Sequence, residues 1–192
     1  MIGGKNMDNI LIIFHSQNGT VEEMAHAVKK GVEKTKGYSV MFKRAQDATW
    51  QDLKETDGIA IGTPDYFDYM AGTVKDFFDR TFYPSQSRIK GSLVADVPCV
   101  FFASGGTGGM PAIESLKCVA QAFRFRIIDY VAIKPPLKPE HLLQCEALGE
   151  RLGKAILEKT SRSWFTPLRW SGCSPLWQGK GLWKAYTWLG SN

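Results

Sequence analysis

Five short apolar runs alternate with helix-like segments through most of the chain, and this alternation constrains the fold more than any other feature. Most of the runs are continuously apolar, which is typical of strands covered on both faces. The second run alternates more with polar residues and is therefore expected nearer a sheet edge. Strands that alternate with helices predict an α/β doubly wound parallel sheet with helices on both faces. The predicted strands occupy residues 10–14, 38–44, 58–62, 98–103 and 127–133.

Periodic apolar residues place a helix after each strand, with boundaries set by capping residues and by glycine or proline. Gly31 and Gly37 are expected to mark the end of the first helix. Thr49 is expected to cap the second, and Pro111 to be the first residue of the fourth. Residues 83–97 show neither the apolar periodicity of a helix nor that of a strand, so an irregular surface connection is expected there. The predicted helices occupy residues 21–32, 49–55, 71–78, 111–123 and 139–159.

Loop 1 (residues 14–21) joins the first strand to the first helix and has the composition of an anion site. A helix start offers unpaired N–H groups and the positive end of the helix dipole, which together favour phosphate. Ser16, Asn18 and Thr20 add side-chain donors. The alternative is an ordinary turn in which Thr20 caps the helix and Glu23 completes a capping box. This loop alone does not separate the two interpretations.

Loop 2 (residues 63–70) and loop 3 (residues 104–110) follow the third and fourth strands. In a parallel sheet the carboxyl ends of the strands share one edge, where ligands bind. Loop 2 contributes Tyr66, Phe67 and Tyr69, at least one of which is expected to stack on a ligand. The alternative is that one or two of them fill the core between helix and sheet. Loop 3 is nearly all glycine and permits close backbone approach to a flat ligand. Together the loops indicate a site for a phosphorylated planar heterocycle.

These loops resemble the flavin-binding loops of the flavodoxin superfamily, and most closely those of its WrbA-type NAD(P)H:quinone oxidoreductases and NADPH-dependent FMN reductase-like members. The resemblance covers residues 9–159 and rests on FHSQNGTVEEMA, on GTPDYF with the following MAG and Lys75, and on SGGTGG. It implies a strand order of 2-1-3-4-5 and one FMN bound without a covalent link.

The resemblance also implies a role for each of the three loops. The phosphate would be held by Ser16, Gln17, Asn18, Gly19, Thr20 and Val21. The isoalloxazine ring and its pyrimidine edge would be lined by Thr63, Pro64, Asp65, Tyr66 and Phe67. The opposite side of the ring would be closed by Ser104, Gly105, Gly106, Thr107, Gly108 and Gly109.

Two functions are compatible with such a site. The first is an oxidoreductase that passes electrons from NAD(P)H through FMN to a quinone or similar acceptor. The second is an electron carrier that docks to a redox partner protein. The WrbA-type proteins have a histidine-bearing segment before the last strand and a glycine-rich insertion after it. Residues 123–126 and 131–135 of this chain are short and contain no histidine.

Residues 160–192 differ from the rest of the chain in composition. They contain five of the six tryptophans and four basic residues but no acidic residue, which leaves residues 1–159 with a net charge of only +1 out of +5. A nearly neutral body argues against nucleic acid as a partner. The segment is expected to clasp its own domain or a sister subunit of a homo-oligomer. Contact with an anionic membrane surface or an acidic redox partner is the alternative.

The remaining features are ordinary. Residues 1–8 are expected to be a loose lead-in, and the early apolar run is too short for a membrane span and wrongly placed for a signal peptide. A cytoplasmic location is therefore predicted. The four cysteines are dispersed without a paired motif, so we predict thiols that are mostly buried and no metal site.

Overall fold

A computed structural model describes residues 8–35, 37–87 and 91–161. Its centre is a sheet of five parallel strands: β1 (Asp8–Phe14), β2 (Tyr38–Arg44), β3 (Gly58–Tyr66), β4 (Pro98–Ser104) and β5 (Arg126–Ile133). The strands follow the order β2-β1-β3-β4-β5, which confirms the predicted topology. A two-residue strand, Tyr69–Met70, pairs antiparallel with the end of β3.

Strand β1 lies inside the sheet, between β2 and β3. Ile12 is opposite Phe42 on one side and Ala60 on the other. Residues 10–14 of β1 and all of β4 are buried, as expected for strands covered on both faces. Every residue of β2 is only partly buried, because this strand lies at the edge.

Helices cover both faces of the sheet: α1 (Thr20–Lys34), α2 (Trp50–Lys54), α3 (Gly72–Ser85), α4 (Met110–Phe123) and α5 (Pro139–Ser161). Helices α1 and α5 pack on one face, and α2, α3 and α4 cover the other. The α1–α5 contact depends on two glycines: a Cβ at Gly31 would overlap the carbonyl of Glu146, and one at Gly149 would overlap that of Val28.

The helix boundaries correct several expectations. Gly31 lies inside α1 and serves the contact with α5, so it does not end the helix. Helix α4 begins one residue before Pro111, at Met110. The capping prediction for α2 is confirmed: the Asp52 N–H donates to the Thr49 hydroxyl, and the Asp52 carboxylate accepts from the Thr49 N–H.

Residues 83–97 are more regular than predicted. Helix α3 continues to Ser85, and Gln86–Ser87 then pairs antiparallel with Gly91–Ser92. Val94 and Val97 are buried in the core beneath α3 and α4. The prediction of an irregular surface connection is therefore wrong. The apolar residues of this segment are interspersed with polar ones without a helical or a strand periodicity, so the sequence pattern does not reveal its regular parts.

Several sequence-based predictions concern residues whose structure is not described. The lead-in, apart from Asp8 in β1, and the tryptophan-rich segment after Ser161 lie outside the described residues. Of the three described cysteines, Cys99 and Cys145 are buried and Cys118 is exposed. None of the described helices combines the length and the apolar character that a membrane crossing requires.

Candidate functional site

Loop 1 begins where β1 ends and leads into α1. Gly19 is the N-cap of α1 and has a φ of 86°, in the left-handed region that glycine adopts most readily. The helix itself begins at Thr20, so the alternative in which Thr20 and Glu23 form a capping box is wrong. Within the described part of the chain, none of the N–H groups from Gln17 to Val21 donates a hydrogen bond. Loop 1 thus presents a series of open donors at the positive end of a helix.

Loop 2 is a tight hairpin. Phe67 and Asp68 have φ values of 57° and 60°, both left-handed, and they connect Asp65–Tyr66 to Tyr69–Met70. Two left-handed residues in a two-residue connection are the conformation of a type I′ turn. The turn places Phe67 at the tip of the hairpin, with its side chain fully exposed at 101%.

One of the three aromatic residues of loop 2 packs against the core. Tyr66 is partly buried there, whereas Tyr69 is 43% exposed. The core-filling alternative therefore holds for Tyr66 and is wrong for Phe67 and Tyr69. Thr63 is completely buried, and its hydroxyl accepts from the Ala71 N–H at 2.8 Å and donates to the Pro64 carbonyl. These two hydrogen bonds of Thr63 stabilise the conformation of loop 2.

Loops 1, 2 and 3 are in direct contact. The Tyr66 hydroxyl lies 2.9 Å from Gln17 Oε1, which joins loop 2 to loop 1. The Thr107 hydroxyl lies 3.4 Å from Asp65 Oδ2, which joins loop 3 to loop 2. A Cβ at Gly105 would collide with the Asp65 side chain, so the second contact requires glycine.

A cleft opens between these loops at the carboxyl edge of the sheet. Eleven of the seventeen predicted site residues line it: Ser16, Gln17, Asn18, Thr20, Val21, Pro64, Asp65, Tyr66, Ser104, Gly105 and Gly106. The other six do not line it: Gly19, Thr63, Phe67, Thr107, Gly108 and Gly109. Gly19 and Gly109 instead form the N-caps of α1 and α4.

Sequence reasoning missed Pro135, which also lines the cleft. It lies in the connection from β5 to α5, and the hydrogen bond from the Gly105 N–H to the Ile133 carbonyl, at 3.1 Å, brings this connection beside loop 3. Its position in the sequence could have indicated this role, because the loop after the fifth strand emerges at the same edge of the sheet as the other three loops.

Arg44 and His15 are the charged and titratable groups behind loop 1. The Arg44 guanidinium contacts both the Ser16 carbonyl and the Glu22 carboxylate. His15 Nδ1 is buried and has no hydrogen-bond partner among the residues the structure describes. Burial, and next the positive charge of Arg44, lower the pKa of His15 below its usual 6.5. The ring of His15 meets that of Tyr66 edge-on, at 6.0 Å between centroids.

The cleft fits a phosphorylated planar ligand. Loop 1 offers open N–H donors at a helix start, which suit a phosphate. Loop 2 contributes one aromatic side chain and loop 3 a glycine backbone to the lining of the same cleft, and both suit the face of a flat ring. The three loops thus supply an anion end and a flat end in one continuous cleft.

The sequence is similar to those of known proteins. The sequence model described as Flavodoxin matches residues 12–149. A curated flavodoxin from Aquifex aeolicus (strain VF5) is 27% identical over 166 residues, covering 78% of this chain and 88% of that protein.

Solved structures share the fold. A flavodoxin from the domain Archaea superposes with a TM-score of 0.66 at 18% identity, covering 78% of this chain and 99% of that one. A WrbA-like flavodoxin from Agrobacterium tumefaciens superposes with a TM-score of 0.61 at 18% identity, covering 79% and 98%. With the family's sequence model matching well over half of its length, this chain belongs to the flavodoxin family, whose members bind FMN and transfer electrons.

Proposed function

We propose that this flavodoxin-family protein is an electron carrier that exchanges electrons with partner proteins rather than with a small-molecule substrate of its own. The observation that carries the proposal is Phe67, an apolar ring fully exposed beside the cleft. Its backbone is left-handed, a conformation that costs a bulky residue about 1 kcal/mol or more. An exposed aromatic ring in a strained turn gains nothing from packing within the chain, so a contact with another molecule explains it best.

Three of the loops would divide the binding of FMN between them. The N–H groups of residues 17–21 would hold the phosphate. Tyr66 and Pro64 would lie against the ring on one side, and residues 104–106 on the other. When bound, FMN supplies one-electron and two-electron redox chemistry.

The chain's own groups would set the electrostatics around the ring. The N–H groups of Gly106 and Thr107 have no acceptor among the described residues and are free to donate to its polar edge. Such donors favour the negative charge that reduction adds. The Asp65 carboxylate opposes that charge, so its position between loops 2 and 3 lowers the reduction potential.

An NAD(P)H:quinone oxidoreductase is the second candidate, and one observation favours it. Loop 2 carries the GTPDYF sequence that resembles the second flavin loop of the WrbA-type enzymes. Against it, the segments that flank the last strand are short. Within them Phe123 and Phe125 are buried in the core, and Arg126 donates to the Ala155 carbonyl at the far end of α5, away from the cleft.

A turnover assay separates the two functions. The FMN-loaded protein is mixed with NADH or NADPH and a benzoquinone, with and without an NADPH:flavodoxin reductase. The carrier proposal predicts negligible NAD(P)H oxidation by the protein alone and rapid reduction of its FMN once the reductase is added. Rapid quinone-dependent oxidation without the reductase would establish the enzyme instead.

The role of Phe67 is tested in the same assay. Phe67→Asn is chosen because asparagine tolerates the left-handed backbone. We expect slower reduction of the FMN-saturated protein by the reductase. A loss of FMN affinity without a slower reduction would instead place Phe67 against the flavin ring, as the resemblance implies. Tyr83→Asn is the matched control, since Tyr83 is also an exposed aromatic (81%) but lies in the last turn of α3, away from the cleft. Equal rates of FMN reduction in the two variants would show that Phe67 does not contact the partner protein.

The compartment and assembly of the protein remain predictions. A cytoplasmic location and a homo-oligomer are expected from the sequence alone. The tryptophan-rich segment is expected to clasp its own domain or a sister subunit, and contact with a membrane surface or an acidic redox partner is the alternative.

A further inference from the structure

We propose that Arg44 is a positioning residue that makes loop 1 select a phosphorylated flavin over an unphosphorylated one. The proposal depends on flavin binding at the cleft, as the proposed function does. It assigns a specificity role to a residue that does not itself line the cleft.

Arg44 connects three elements around loop 1. It is the last residue of β2 and lies opposite Phe14, the last residue of β1. Its guanidinium donates to the Ser16 carbonyl at 2.9 Å and to Glu22 Oε2 at 2.7 Å. The same group lies 5.4 Å above the Phe14 ring. The planar guanidinium is thus held by contacts from β1, from loop 1 and from the first turn of α1, a geometry that lysine cannot reproduce.

The contact with Ser16 determines which way the next peptide group faces. In a trans peptide the C=O and the following N–H point in opposite directions. Because the Ser16 carbonyl points toward Arg44, the Gln17 N–H points away from it. That N–H has no acceptor among the described residues, and both Ser16 and Gln17 line the cleft. Arg44 therefore keeps a carbonyl oxygen out of the anion site and leaves a donor available to it.

Glu22 makes this arrangement rigid but partly neutralises the positive charge. The Arg44–Glu22 ion pair is only partly exposed, with side-chain exposures of 37% and 35%. The principal effect of Arg44 is therefore on loop geometry, and its charge adds to the attraction for a phosphate of nearly two negative charges. An unphosphorylated flavin places no anion in loop 1 and would not sense either effect.

The test compares FMN with riboflavin, which lacks the phosphate. Dissociation constants for both flavins are measured on the full-length apoprotein and on Arg44→Gln and Arg44→Lys. Lys43→Gln is the matched control. It removes the same charge from the neighbouring position, where Lys43 instead pairs with Asp52 of α2 at 2.8 Å. Circular dichroism melting of each variant establishes that it is folded.

We expect Arg44→Gln to weaken FMN binding by about tenfold or more, the size of a charge-assisted hydrogen bond, and to change riboflavin binding by less than about twofold. The FMN affinity of Arg44→Lys should lie between those of the unaltered protein and Arg44→Gln. Lys43→Gln should leave the affinities for both flavins nearly unchanged. An equal loss for FMN and riboflavin, no loss at all, or an equal effect of Lys43→Gln would each overturn the inference while FMN binding itself stands. An unaltered protein that binds neither flavin would overturn the proposed function as well.

Discussion

Loops 1 and 3 begin alike and end up suited to different parts of a ligand. Each follows a buried strand and leads into a helix through a left-handed glycine, Gly19 with φ 86° and Gly109 with φ 72°. Since glycine has no side chain, neither helix start is capped by its N-cap residue. Backbone conformation alone therefore does not distinguish a phosphate site from a surface for a flat ring.

The surroundings of the two glycines make the difference. Loop 1 carries polar side chains, has Arg44 fixed behind it, and leaves open space around Gly19. In loop 3, the second residue of α4 is Pro111, which has no N–H to offer. Gly109 also lies against the end of β4, so that a Cβ would come within 3.0 Å of the Ala103 carbonyl oxygen. Loop 1 is therefore suited to donate hydrogen bonds to an anion, whereas loop 3 is suited to lie close against a flat ring.

The largest effect is expected where loop 3 touches loop 2. Gly105→Ala places a methyl group against the Asp65 side chain and forces the two loops apart. Overpacking of this kind costs about 1–3 kcal/mol, so FMN affinity should fall by about fivefold to 150-fold. Gly72→Ala is the control, because no atom lies within 4 Å of a Cβ there. Titration with FMN checks both, and unchanged affinity in Gly105→Ala would show that the contact does not matter.

The two N-cap glycines should differ in stability rather than in affinity. Both Gly19→Ala and Gly109→Ala place alanine in the left-handed region, which costs about 1–2 kcal/mol. Gly109→Ala should be the more destabilising, since it adds the close approach to Ala103 whereas Gly19 has nothing within 4 Å. Urea denaturation of the apoprotein measures the difference, and an equal or greater loss at Gly19 would contradict this view of the two loops.

A smaller effect is expected on the redox potential. Asp65→Asn removes a carboxylate from between loops 2 and 3, so the two-electron potential should rise. Asp68→Asn, at the exposed tip of loop 2, should produce a smaller rise. A spectroscopic redox titration that finds no rise for Asp65→Asn would exclude this electrostatic role.

The smallest expected effect is a pH dependence carried by loop 1. Because burial and Arg44 lower the pKa of His15 in the folded protein, acidification favours proton uptake by the unfolded chain. The contribution of neutral His15 to stability is complete above pH 6.5 and is lost as the pH falls from there toward the folded-state pKa. His15→Asn should therefore flatten the dependence of the unfolding free energy on pH below 6.5. Parallel curves for the two proteins would contradict this.

The doubly wound sheet and the position of the cleft were predictable because they depend on the alternation of strands with helices and on the common edge of parallel strands. The strand order was implied by the resemblance to the flavodoxin superfamily. The roles of single residues were less accessible. Arg44 is simply the end of an edge strand in the sequence, and only its pairing opposite Phe14 brings its guanidinium to Ser16.

The exposure of Phe67 and the place of Pro135 in the cleft were not predicted, for different physical reasons. The residue types in loop 2 do not reveal that Phe67 and Asp68 both adopt left-handed φ values, and this turn is what exposes the ring. Pro135 has neither a donor nor a charge, and it reaches the cleft only because Gly105 bonds to the end of β5. The surroundings of these residues therefore depend on long-range pairing and turn geometry, which local composition does not reveal.

The central claim is that the loops at the carboxyl edge bind FMN, with its phosphate in loop 1. Assigned ¹H–¹⁵N correlation spectra of the apoprotein, recorded as FMN is added, test it most directly. The account predicts that the amides of residues 17–21 and 104–107 shift to saturation at one FMN per chain, while those of Asp57 and Gly58 at the opposite edge stay in place. Shifts confined to another surface, or none with added FMN, would contradict it.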